Sequence, residues 1–99
     1  MAMTDQKPRS TRTWEDEDEY WLGQFASRPY AAGTDYERWR PAYRFGYESA
    51  ARYSGRTWPD VERDLERDWQ TYDYRDNRST WQQIKDAVRD AWDRATGNR

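Results

Sequence analysis

Apolar residues recur at spacings of three and four along four stretches of this chain, and each stretch is bounded by capping or breaking residues. The first stretch follows Thr13, a residue type suited to capping a helix. Its opening turns hold Glu15, Asp16, Glu17, Asp18 and Glu19, where negative charge suits the positive end of the helix dipole. Trp14, Trp21, Leu22 and Phe25 form its inner face. Ser27-Arg28-Pro29 ends it, because proline drives the preceding residue toward extended backbone. The pattern predicts a helix over 14–26.

Thr34-Asp35-Tyr36-Glu37 has the form of a capping box and opens a second helix, predicted over 35–54. Tyr36, Trp39, Tyr43, Tyr47 and Ala50 fall on one stripe of it. Pro41 lies inside that stripe and is expected to kink the helix or split it into a short turn and a longer segment. Gly46 costs about 1 kcal/mol against Ala in a helix interior, so a close approach by another helix or ring is expected there. Ser54-Gly55 supplies the stop.

The remaining apolar positions form an ungapped internal repeat. Thr57-Trp58, Val61, Leu65 and Trp69 align on Thr80-Trp81, Ile84, Val88 and Trp92. Eleven residues at about 100° each return to nearly the starting direction, so both tryptophans of a copy share a face with its two aliphatics. Helices are predicted over 58–72 and 80–95. Thr57 with Asp60, and Ser79 with Gln82 or Thr80 with Gln83, are the candidate caps. Asp60 with Arg63, Asp64 with Arg67, Asp86 with Arg89, and Asp90 with Arg94 stand at spacings for outward ion pairs. Residues 73 to 79 form a polar connection, and Gly97 ends the last helix.

The resulting fold class is all-α, a compact four-helix domain with an aromatic-rich core whose last two helices form a hairpin from the repeat. Residues 1 to 12 lack an apolar period and are expected to be a disordered tail, with a single helical domain over 13–99. Composition explains why the core must be aromatic. Leu22, Val61, Leu65, Ile84 and Val88 are the only branched aliphatics, whereas seven Trp, eight Tyr and two Phe each offer ~150–250 Å² of buriable surface. The core is therefore assigned to Trp21, Phe25, Trp39, Tyr43, Tyr47, Trp58, Val61, Leu65, Trp69, Trp81, Ile84, Val88 and Trp92. A chain this small and aromatic is also expected to leave rings for self-association.

Cys and His are absent, which removes disulfides, thiolate nucleophiles, imidazole bases and the usual zinc sites. No catalytic residue, metal site or cofactor is expected, and the protein is read as non-enzymatic. Apolar runs are far shorter than the ~20 residues needed to span a bilayer, so no membrane role and a cytoplasmic location are expected. The Glu15 to Glu19 run has the oxygen ligands that Mg²⁺ or Ca²⁺ prefer but no glycine turn, so the expectation is a solvated helix start.

Arg40-Pro41-Ala42-Tyr43-Arg44-Phe45-Gly46-Tyr47, then Gly55-Arg56-Thr57-Trp58 and Val61-Glu62-x-Asp64-Leu65-x-x-Asp68-Trp69, resembles a group of short bacterial helical proteins of unknown function. The ending Trp81-x-x-Ile84-Lys85-Asp86-Ala87-Val88-Arg89-Asp90-Ala91-Trp92 resembles the same group. The resemblance covers roughly residues 20 to 95. It implies a bacterial cytosolic setting and an association with general stress protein domains, and it carries over no catalytic residues.

Two surfaces follow from the side chains. Tyr30, Tyr53 and Tyr74 are candidate anchors for a protein partner or a second copy, since exposed rings make good interface anchors. This favours a stress-associated interaction protein, with an inhibitor or antitoxin-like partner of a host enzyme as one alternative. The other alternative is a single-stranded nucleic-acid module in which Arg38, Arg40, Arg44 and Arg52 meet phosphates while neighbouring rings stack on bases. A chain pI near 5.2 and the sharing of those rings with the inner stripe weigh against it.

Overall fold

The computed structural model describes residues 13–31, 33–76 and 79–97. Among them are four α-helices and no strand: α1 (Trp14–Gln24), α2 (Tyr36–Arg52), α3 (Trp58–Trp69) and α4 (Trp81–Thr96). Two 3-10 turns, Phe25–Ser27 and Pro29–Ala31, carry the chain from α1 to α2. The tail predicted over residues 1 to 12 lies outside the described residues.

Thr13 caps α1 through a reciprocal box with Asp16, and Thr80 caps α4 in the same way with Gln83. Ser79 is not the cap; it is buried one position earlier. Thr34 does not cap α2. Its hydroxyl donates to the Ala31 carbonyl at 2.7 Å and accepts the Trp39 indole N–H at 2.6 Å, and Asp35 becomes the extended residue before the helix. Thr57 precedes α3 without a side-chain cap bond. Gly97, in the left-handed conformation at φ 80°, closes α4.

Pro41 does not split α2, which runs unbroken from Tyr36 to Arg52. The helix occupies the middle of the molecule and is buried over a broad arc. Tyr36, Trp39, Tyr43 and Ala50 form the predicted stripe, and Ala42, Phe45, Gly46 and Ser49 add a second. The predicted hairpin is not the main contact of the last helix, because α4 packs most extensively on α2. Small residues explain this choice. A Cβ on Gly46 would overlap the Val88 carbonyl oxygen and stand 2.9 Å from the Ala91 Cβ, so only glycine lets the two backbones come this close. α3 completes the core with Trp58, Val61, Leu65 and Trp69 buried. Its Trp58 ring reaches Trp81 at 6.4 Å and Trp92 at 6.0 Å between ring centroids.

Rings replace aliphatics throughout the core. Trp21 stacks on Tyr43 at 4.3 Å, and Phe45 meets Trp69 edge-on at 5.3 Å. Of the assigned core, Phe25 and Tyr47 are only half-buried; they pack at its margin against Tyr36 and Trp14. Leu22 is not on the inner face. The inward positions of α1 are Trp14, Glu17 and Trp21, and Leu22, one residue and about 100° further on, is 56% exposed.

The acidic run is not simply solvated. Glu17 is buried and accepts the Arg94 guanidinium at 2.9 Å, and Asp18 accepts both the Tyr36 hydroxyl at 2.6 Å and Arg40 at 2.7 Å. These contacts tie α1 to α4 and to α2. Among the predicted surface pairs Asp64 with Arg67 forms, at 3.2 Å. Arg94 turns inward to Glu17, and Asp90 accepts the Tyr30 hydroxyl at 2.6 Å, because both residues lie toward neighbouring elements rather than solvent.

Candidate functional site

Residues 45, 48, 49 and 52 lie on one face of α2 by helical spacing, and that face forms one wall of a cleft. The end of α3 and the turn after it form the other. The cleft holds about 350 Å³ and is lined by Phe45, Glu48, Ser49, Arg52, Asp68, Thr71, Tyr72, Asp73 and Tyr74. The turn stays against α2 because Tyr72 packs its ring on Phe45 at 4.9 Å and on Trp69 at 5.7 Å.

Two carboxylates organise the polar lining. Glu48 accepts the Tyr72 hydroxyl on Oε1 at 2.8 Å and the Arg44 Nε on Oε2 at 2.9 Å. Asp68 accepts the Tyr53 hydroxyl on Oδ2 at 2.7 Å and Arg52 on the same oxygen at 3.3 Å. Burial, and then the bond to Glu48, holds the Tyr72 phenol well above its ordinary range, so it stays a donor. The bond to Asp68 acts in the same direction on Tyr53. At the rim the Arg44 guanidinium lies over the Tyr74 ring at 4.4 Å and faces Trp14 at 5.8 Å.

The three tyrosines chosen as interaction anchors do not come together. Tyr30 is half-buried on the opposite side of α2, where its hydroxyl donates to Asp90 and shares a 2.9 Å hydrogen bond with Tyr43. Since the Asp90 carboxylate only accepts, Tyr43 donates to Tyr30. Tyr53 is half-buried and engaged with Asp68. Tyr74 remains exposed, at 57%, and with Leu22 it is one of two large apolar side chains so exposed among the described residues.

The four arginines of the nucleic-acid alternative are largely committed within the protein. Arg40 pairs with Asp18, Arg44 with Glu48, and Arg52 with Asp68, while Arg38 lies over Trp39 at 5.9 Å. Arg40 and Arg52 keep 44% and 66% of their side chains exposed while paired. Sequence reasoning missed Glu48, Ser49, Asp68, Tyr72 and Asp73. Phe45, Glu48, Ser49 and Arg52 show the spacing of a helix face, but the stronger aromatic stripe beside them drew the assignment.

Among the described residues no cluster of side chains is grouped to hold a metal ion, and no helix is long and apolar enough to cross a membrane. No family model, no curated protein and no solved structure matches this chain.

Proposed function

We propose that this chain is a non-enzymatic interaction protein whose contact site is the cleft between α2 and the turn after α3. The observation that carries the reading is Tyr74. It is a largely exposed ring at the mouth of a preformed cleft, and its outward face is oriented by Arg44 rather than left loose. A rigid aromatic beside a concave polar surface is the usual anchor of a protein contact. The bacterial stress setting implied by the resemblance belongs to the same proposal. A second copy of the chain is one partner that such a surface would accept.

The nucleic-acid alternative is disfavoured because Arg40, Arg44 and Arg52 would have to leave carboxylate partners to meet phosphates. A photoreactive phenylalanine analogue at position 74 tests the proposal. In cells of the source organism it should cross-link to a defined protein, or to a second copy, while the same analogue at exposed Arg63 should not. Submicromolar, salt-sensitive binding of single-stranded RNA or DNA at physiological ionic strength would overturn it.

A further inference from the structure

Sulfur side chains, ordinarily among the first targets of oxidants, are missing from the helices: the chain has no Cys, and its two Met are Met1 and Met3. Oxidation of the helical domain therefore falls on its rings. All seven Trp are buried. One of them has a continuous path of rings to the surface. Trp69 stacks on Tyr72 at 5.7 Å between ring centroids, and Tyr72 meets Tyr74, which is largely exposed, at 5.6 Å. Phe45 touches Trp69, Tyr72 and Trp81, but its ring is far harder to oxidise than an indole or a phenol, so it stands beside this ladder and not in it.

A phenol yields an electron readily only when its proton leaves with it, because the phenol radical cation is a strong acid. Tyr72 has the acceptor in place. Its hydroxyl donates to Glu48 Oε1 at 2.8 Å, within reach for direct proton transfer. Arg44 donates to the other oxygen, Oε2, at 2.9 Å, which keeps the carboxylate aimed at the phenol. The same guanidinium lies over Tyr74 at 4.4 Å, where its charge opposes a radical cation but not a neutral phenoxyl radical. Tyr74 must therefore release its proton together with its electron, and its exposure lets water take that proton.

We infer that Trp69, Tyr72 and Tyr74 form a relay that carries one-electron oxidation out of the tryptophan core, with Glu48 as the proton acceptor of Tyr72 and Tyr74 as the surface terminus. The oxidant is a one-electron acceptor of the oxidising-radical class, such as the carbonate radical. It removes an electron from the Trp69 indole. Tyr72 then gives an electron to the Trp69 radical cation and its phenol proton to Glu48. Tyr74 gives an electron to the Tyr72 phenoxyl, which takes its proton back from Glu48, and the Tyr74 proton goes to water. The sum is one electron from Tyr74 to the oxidant and one proton to solvent, with Trp69, Tyr72 and Glu48 restored. Two Tyr74 phenoxyls from separate chains then couple: one C–C bond forms between ring carbons beside the oxygens, and the two displaced ring hydrogens move to those oxygens. The relay works within one chain and is independent of the contact role.

The test creates the radical inside the full chain by photoionising tryptophan with light that indole absorbs and phenol does not, while hexaamminecobalt(III) consumes the ejected electrons. Peptide mass spectrometry then locates the products. The parent should give a dityrosine cross-link between Tyr74 residues and little oxidised Trp69. Tyr72→Phe keeps the ring but removes the phenol; it should lower the cross-link several-fold and raise oxidised Trp69 several-fold. Tyr74→Phe, at an exposed position where folding is undisturbed, should abolish the cross-link and also raise oxidised Trp69. Glu48→Gln should shift both products in the same direction as Tyr72→Phe. Tyr53→Phe, which removes a phenol paired with Asp68 outside the ladder, should change neither. Equal oxidation of Trp69 in the parent, Tyr72→Phe and Tyr74→Phe would overturn the relay, as would a Tyr74 cross-link indifferent to the loss of the Tyr72 phenol.

Discussion

Gly46→Ala should destabilise this protein, while Gly23→Ala, the same chemical change on another helix, should stabilise it. Both glycines sit within helices, so alanine gains about 1 kcal/mol of helix propensity at either position. At Gly23 nothing stands within 4 Å of the added Cβ, and that gain is retained. At Gly46 the Cβ would overlap the Val88 carbonyl oxygen and come within 2.9 Å of Ala91. The Val88 oxygen belongs to the α4 backbone and cannot rotate aside, so α2 and α4 must separate along their most extensive interface. Overpacking a tight core costs about 1–3 kcal/mol, and a clash with helix backbone belongs at the upper end. Subtracting the propensity gain leaves a net loss of about 2 kcal/mol. For a domain of this size that lowers the melting temperature by roughly 8–16 °C. Urea titration followed by tryptophan fluorescence, with thermal melts by circular dichroism, measures both variants. An unchanged or raised midpoint for Gly46→Ala would refute the close approach of α2 and α4, and with it the reason offered for their pairing.

Trp69→Ala and Trp92→Ala each remove a ring that is at most 2% exposed and should cost about 3–5 kcal/mol, enough to unfold a marginal domain. If both variants keep the parent melting temperature, α3 and α4 do not share a core through these rings. Alkaline pH should also destabilise the fold, because burial raises the Tyr36 phenol and pushes Tyr43 up to about 12. In the unfolded chain both release their protons near pH 10, so above that the native state binds more protons and stability falls. The loss is about 1.4 kcal/mol per pH unit for each residue, and the contribution is fully present below pH 10. Urea midpoints measured between pH 10 and 12 should drop accordingly; phenolate absorbance showing all eight tyrosines ionised near pH 10 with the fold intact would contradict this.

Local signals in the sequence were sufficient for the helices and most of the core. The 3.6-residue period, Thr13 and Thr80 as caps, and Gly55 and Gly97 as stops act within a few residues, so they can be read without knowing what packs where. Gly46 also announced itself, since a glycine inside a helix needs a reason. The repeat motif showed which faces of α3 and α4 turn inward, but the pairing of α4 with α2 was decided by how closely backbones could approach at Gly46 and Ala91. The destinations of the charged side chains were equally hidden. Glu17 looked like one of five solvated acids until Arg94, 77 positions away in sequence, was brought against it. Asp90 had a partner at helical spacing, yet the fold placed the Tyr30 hydroxyl closer to hand. The cleft combines one face of α2 with a turn some twenty residues later, and its polar lining exists only once Tyr72 and Tyr53 have met their carboxylates. Helix formation depends on near neighbours and is written along the chain, whereas ion pairs, ring stacks and clefts depend on which distant surfaces meet, and only tertiary packing decides that.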